Sequence, residues 1–424
     1  MRLAGARAPT VRIPLAHFLA IPFWLLVAAW LFASSCEALQ ASRWAPASLA
    51  QVHVLLLGVL GNGMLGSLQQ FLPVATGADT RRLQRAGTTL FTLFNLGLGL
   101  LVAGFLHQSA WRGWGGSLLA LALLPFAALA LHALGRAGLA VTTRWQLAIA
   151  LACLASAGAL GLWLALARGP LPALSHAQTV DLHALLGLAV GVTALLAAIG
   201  AVVLPMFQGL ARWSERSQQT AWLAASVVFL TALSSRLLGV VDSVALALLA
   251  ALPAVWLGAC VLYGQWRRSS RRRPGLVRAW CFGWLLLVGA VLLAGFGHAR
   301  HPPALPAAAW LLLASALPLL LQGMLLEILP FLHWNRLVLA RPPGSHAHLP
   351  GVDALLPERD KQALLLLNGL FTLCIVLAAL GDGPSMWVAS GALLALQAVA
   401  LLVVMLRCLS RVSRVLKEFG LTAA

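Results

Sequence analysis

Acidic residues are scarce in this chain. Only 11 Asp and Glu stand among 424 residues, and charged residues of both signs make up 9%. With a mean hydropathy of +0.91, it cannot present the polar surface that a soluble globule of this length needs. Soluble-enzyme constellations are missing as well: there is no phosphate-binding glycine loop, no Ser on a nucleophile elbow, no pair of carboxylates and no HExxH. The six Cys form no CxxC or CxxCH, and only Cys36 is expected to face the outer compartment. Neither disulfides nor covalent c-type haem is therefore expected. Any chemistry falls to a bound cofactor.

What is present is apolar and helical in length. Hydrophobic residues make up 61%, and windows of roughly 20 apolar residues, enough to cross the hydrocarbon as helix, recur with short breaks. Twelve spans are predicted, at 14–34, 51–75, 86–106, 114–134, 145–167, 181–207, 218–240, 242–263, 278–297, 304–333, 362–380 and 386–407. No strand pattern competes, so the fold class is all-α and polytopic, with residues 1–424 forming a single transmembrane domain. The first span is too long, and lacks a small-residue cleavage site, for a removable signal peptide. It is expected to remain as an anchor.

Three segments share one pattern, an apolar run that opens on His or Trp and closes on Leu-Pro: His53 to Pro73, His183 to Pro205, and Trp310 to Pro330. The three Pro stand 132 and 125 positions apart, which places the segments at helices two, six and ten and predicts three four-helix repeats, roughly 1–140, 141–275 and 276–424.

Alternate loops carry 24 of the 29 Arg and Lys, whereas the opposite loops hold only Arg43, Arg112, Arg168 and Arg300, with Arg236 inside a helix. Both termini are accordingly expected in the cytoplasm of a bacterial inner membrane. The net charge of +18 and the run RRSSRRR at 267–273 then read as a topology signal beside anionic lipid, not as a nucleic-acid site.

Ionisable groups in hydrocarbon are functional suspects because each costs a few kcal/mol unless paired or hydrated. His53 and His183 stand about one turn inside their helices at matching places of two repeats. Around His53, Gly58, Gly61, Gly63 and Gly66 thin the helix for either a flat macrocycle or a close helix neighbour; Gly187 and Gly191 form a GxxxG after His183. His298 and His301 make an HxxH in an outer loop, a spacing able to place two imidazoles on one copper or zinc ion. His346 and His348, near Asp353, read as loop. Glu327 either joins a proton route or reaches the inner interface, and Arg236 either joins such a route or extends outward toward Asp242. Asn62, Asn95, Gln69, Gln70, Gln322 and Asn368 are expected to cross-link helices.

Twelve helices, threefold repetition and the His-to-Leu-Pro pattern of helix two resemble the subunit I superfamily of haem–copper oxidases, which includes the nitric oxide reductases. The likeness is nearest to its short relatives and the NnrS-like branch, although the HAHE-type sequence of that branch is missing. The resemblance implies that His53 matches the helix-two ligand of a low-spin haem and that His183 matches a helix-six copper ligand. Trp310 stands where helix ten supplies the second axial His, and the paired His of helix seven are absent from 218–240. The family's dinuclear centre therefore cannot be assembled, and neither oxygen nor nitric oxide reduction is expected. What the resemblance leaves is a b-type haem or a copper ion near His53 and His183, with His298 or His301 as further ligands. The roles implied are electron transfer with a redox partner, a nitric oxide or metal response, or respiratory-chain support.

Two other classes stay open. GADTRR at 77–82 is similar to the loop between helices two and three of major facilitator carriers, but a six-plus-six repeat would pair helix two with helix eight, which has no Leu-Pro exit. A cofactor-free scaffold or assembly factor is the remaining alternative.

Overall fold

The computed structural model describes residues 11–135, 141–267, 274–341, 349–381 and 383–419. Twelve of its helices are long and apolar enough to cross a membrane: α1 Arg12–Ser34, α2 Pro46–Pro73, α3 Arg81–Leu106, α4 Trp111–Leu134, α5 Thr142–Ala165, α6 His176–Gln208, α7 Glu215–Leu237, α8 Ser243–Arg267, α9 Gly275–Ala299, α10 Ala304–Ala340, α11 Glu358–Leu380 and α12 Pro384–Glu418. No strand occurs among the described residues. The protein is an all-α, multi-pass membrane protein.

Small residues set the closest helix contacts. A Cβ on Gly391 of α12 would stand 2.6 Å from the Ala29 carbonyl of α1, and Gly97, Gly104 and Gly115 leave no room for a Cβ where α3 meets α4. The glycines of α2 are filled by neighbours: Gly58 faces Trp24 of α1, Gly61 faces Phe94 of α3, Gly63 faces Leu321 of α10, and Gly66 faces His17 and Phe18. Of the two uses open for these glycines, the close helix neighbour is the one observed. Gly187 and Gly191 likewise pack on Ala157 and Cys153 of α5.

Helix α10 is the most enclosed span and α7 the least. A main apolar core runs through α1, α2, α3 and α12, with Phe18, Phe32, Phe94, Phe371 and Trp387 almost fully enclosed. Polar bonds lock its first three helices. Asn62 of α2 donates to the Asn95 side chain of α3 at 3.0 Å, Trp24 of α1 donates to the same Asn95 oxygen at 2.8 Å, and His17 Nδ1 lies 2.8 Å from Asn62 Oδ1. Gln397 of α12 donates to Gln322 of α10 at 2.9 Å. Asn368 instead accepts from Thr372 on its own helix.

The three helices that close on Leu-Pro share a further feature. Each opens with α-helical turns, passes into a wider π-helical segment directly after or one residue beyond its aromatic opener, then returns to α-helix: Val54–Gly61 follows His53, Leu185–Val192 follows Ala184, and Leu311–Ala316 follows Trp310. Such segments insert a residue into the helical register and recur at functional sites. Beyond the Pro, two of the helices end on a left-handed glycine, Gly77 (φ +67°) and Gly209 (φ +70°), which pays no Cβ penalty there. The third continues to Ala340.

Candidate functional site

His53 and His183 meet. Their ring centres are 6.4 Å apart with planes inclined by 20°, and Phe105 of α3 lies 5.2 Å from His53. Both rings are half-buried, in a space bounded by α2, α3, α5 and α6.

Each imidazole is oriented through Nδ1. His53 Nδ1–H donates to the Leu49 carbonyl one turn back, at 2.7 Å, and His183 Nδ1–H donates to the Ala157 carbonyl of α5, at 3.0 Å. Because a carbonyl only accepts, the proton of each neutral ring sits on Nδ1 and the lone pair on Nε2. Neither Nε2 has a hydrogen-bond partner among the described residues. Fixing one ring nitrogen on a carbonyl so that the other faces a metal is the usual second layer of a histidine ligand. Gly161 of α5 makes space for this: a Cβ there would stand 3.2 Å from His183 Cε1.

The start of α6 is rigidly placed. Ser175 and Gln178 form a reciprocal capping box, which satisfies two backbone donors of the first turn. Two residues before His183, Asp181 accepts from Arg236 Nε at 2.8 Å, Arg43 Nη1 at 3.2 Å and Ser243 Oγ at 2.7 Å. One enclosed carboxylate thus ties α6 to α7, α8 and the loop before α2, and leaves the neighbourhood with one surplus positive charge. Arg236 does not extend toward Asp242; its partner is Asp181. Asp181 escaped attention in the sequence, although it is the only acidic residue between Asp79 and Glu215.

The remaining candidates lie apart. His298 Nε2 is 3.7 Å from the exposed Asp242 carboxylate, and His301 lies against Phe296 with ring centres 6.1 Å apart. Trp310 is enclosed and packs edge-on against Phe32 of α1 at 5.5 Å. His346 and His348 lie outside the described residues. Glu327 does not reach the interface: it is fully enclosed and accepts from Lys361 of α11 at 2.5 Å. Lys361, assigned to a loop by its sequence, is itself enclosed.

The His53 and His183 ring centres stand 6.4 Å apart with near-parallel planes, and these two imidazoles are the residues that would hold an ion of the kind histidine ligates. A third protein ligand is not at hand: among the described residues no three His, Cys, Asp or Glu groups converge to hold a metal. A macrocycle has less support, since the glycine-thinned faces of α2 are occupied by side chains.

The chain matches no family model and no curated protein sequence.

Proposed function

We propose that this chain is a haem–copper oxidase subunit I-like protein of a bacterial inner membrane, with both termini cytoplasmic, that binds a copper ion through Nε2 of His53 and Nε2 of His183. The observation that carries it is the pair itself, two histidines from matching places of α2 and α6 with both Nδ1 atoms engaged by carbonyls. The recurrence of a π-helical segment after His53, near His183 and after Trp310 supports the reading of three four-helix repeats.

Bound copper supplies one-electron chemistry. The protein's own groups do the rest: the Leu49 and Ala157 carbonyls fix the tautomer, Gly161 admits the His183 ring, and the Asp181 cluster anchors the helix that carries it. Two neutral imidazoles, with no third converging group among the described residues, would suit copper or zinc, both of which imidazole binds. The role that follows is electron transfer, or a nitric oxide or metal response, in support of respiration, without reduction of oxygen at a dinuclear centre.

Metal analysis and a dithionite-reduced minus oxidised spectrum of the detergent-purified chain, from cells supplied with haem and copper, provide the test. One copper per chain, lost in both His53→Ala and His183→Ala, is expected. A b-type α-band with stoichiometric iron that depends on the same two residues would replace copper by haem. Protein free of both metals would overturn the reading in favour of a scaffold or a carrier.

A further inference from the structure

At the end of the bundle where α1 begins and α12 ends, the start of α3 and the end of α4 enclose a cleft of about 320 Å³. Its α3 wall carries Arg81, Arg82 and Arg85, and exposed His132 faces them from α4. The three arginines are not equivalent. Arg81 folds back on Asp79, with Nε at 3.0 Å from Oδ1 and Nη2 at 2.7 Å from Oδ2, so that pair is neutral. Arg82 and Arg85 have no carboxylate or other hydrogen-bond partner among the described residues. Asp79 also lines the cleft but is engaged by Arg81, so two guanidiniums face this concave space with no carboxylate bonded to them.

The floor of the cleft is apolar. Leu83 and Ala133 are enclosed and Leu129 is half-buried, and from Leu90 onward α3 carries no charge. A space with cations at its rim and aliphatic groups at its base, placed where the helices pass from charged to apolar sequence, matches a molecule with an anionic head and hydrocarbon below it. Guanidinium is the side chain best shaped to pair with phosphate oxygens.

We propose that this cleft binds the phosphodiester headgroup of an anionic phospholipid, held chiefly by Arg82 and Arg85. The site is independent of any metal at His53 and His183, being on the opposite side of the bundle. It also differs from general attraction of the basic loops to a charged surface, because it has walls and a defined pair of cations.

Native mass spectrometry of the full chain, released from detergent with phosphatidylglycerol or phosphatidylcholine, tests it. Wild type is expected to retain one phosphatidylglycerol through detergent exchange and no phosphatidylcholine. Each basic residue near an anionic surface contributes about fivefold in affinity, so Arg82→Ala/Arg85→Ala is expected to weaken retention about 25-fold. Arg414→Ala, which removes an exposed cation of α12 at the same end of the bundle, should leave retention unchanged. Equal retention of the two lipids, unchanged retention in the double variant, or an equal loss in Arg414→Ala would each overturn the proposal. Displacement of the lipid by millimolar inorganic phosphate would do so too, by showing that the cleft prefers a free anion. All the substituted side chains are exposed, so folding does not confound the comparison.

Discussion

Two polar pairs lie within the bundle, near opposite ends, and they are built on opposite plans. Glu327 and Lys361 engage one another at 2.5 Å and are almost wholly enclosed. His53 and His183 make no bond to each other; each donates to a backbone carbonyl and keeps one nitrogen without a partner among the described residues. The first plan satisfies buried charge and joins α10 to α11. The second holds two lone pairs in place at a half-buried spot and makes no bond between α2 and α6; its one bond between helices runs from His183 to the Ala157 carbonyl of α5. Buried polarity alone does not mark a functional site; polarity that is oriented and still has bonding capacity does.

The comparison breaks most visibly if the Glu327–Lys361 pair is split. Lys361→Met removes the 2.5 Å contact to the enclosed Glu327 carboxylate, and removing one member of a buried ion pair costs about 3–5 kcal/mol. Thermal unfolding in detergent should show that loss. Glu327→Leu/Lys361→Met, which removes both charges, should recover most of it, because the desolvation cost disappears together with the attraction. A double variant no more stable than Lys361→Met would show that the pair does more than neutralise itself.

Next in size is the anchor of α6. Asp181→Asn removes a charge that faces Arg236 and Arg43 together. Hydrogen bonds to charged groups contribute about 1.5–3 kcal/mol, and the half-exposed Arg43 contributes the smaller part. A loss of about 2 kcal/mol is therefore expected, dominated by Arg236. Copper retention should fall in the same variant, since His183 stands two residues away on the helix so anchored. Unaltered metal content with reduced stability would separate the anchor from the site.

The histidine pair should respond in the reverse sense to the Glu327–Lys361 pair. His53→Ala deletes one hydrogen bond at a half-buried position, an effect of about 1 kcal/mol, yet it should abolish metal binding completely. A large stability loss with metal content unchanged would invert the distinction between the two pairs.

How much of this could be read in the sequence follows from how far each feature reaches along the chain. All twelve spans were visible because a helix long enough to cross a bilayer declares itself in about 20 consecutive residues. Ends were less visible where amphipathic turns continue them: α12 runs to Glu418, beyond the predicted 407, because Met405, Cys408, Val412 and Leu416 keep one face enclosed while Arg414 and Lys417 face outward. That His53 and His183 each open an apolar run closing on Leu-Pro was legible in the sequence. That they face each other was not, since the order of helices around the bundle is absent from a one-dimensional pattern. The π-helical segments leave no signature in an unbroken apolar run. Partners were hidden by separation: Lys361 stands 34 positions from Glu327, and Asp181 stands 138 from Arg43.

The smallest expected effect sharpens the comparison furthest. Gly161 lies on α5 one turn beyond the carbonyl that orients His183, and a methyl group there would come within 3.2 Å of Cε1. That is a few tenths of an ångström closer than an ordinary contact, so Gly161→Ala should be absorbed by a small tilt of the ring. Because alanine also favours helix over glycine by about 1 kcal/mol, global stability should change little or rise slightly. The tilt, however, disturbs the bond from Nδ1 to the Ala157 carbonyl and with it the orientation of Nε2. Metal ligands are sensitive to such displacements of their supporting groups, by about 10–100-fold in affinity. A competition titration with a copper chelator should show weakened binding in a protein that unfolds no earlier than wild type. If affinity is unchanged, His183 is not held in place for a metal, and the histidine pair belongs with Glu327 and Lys361 as structure.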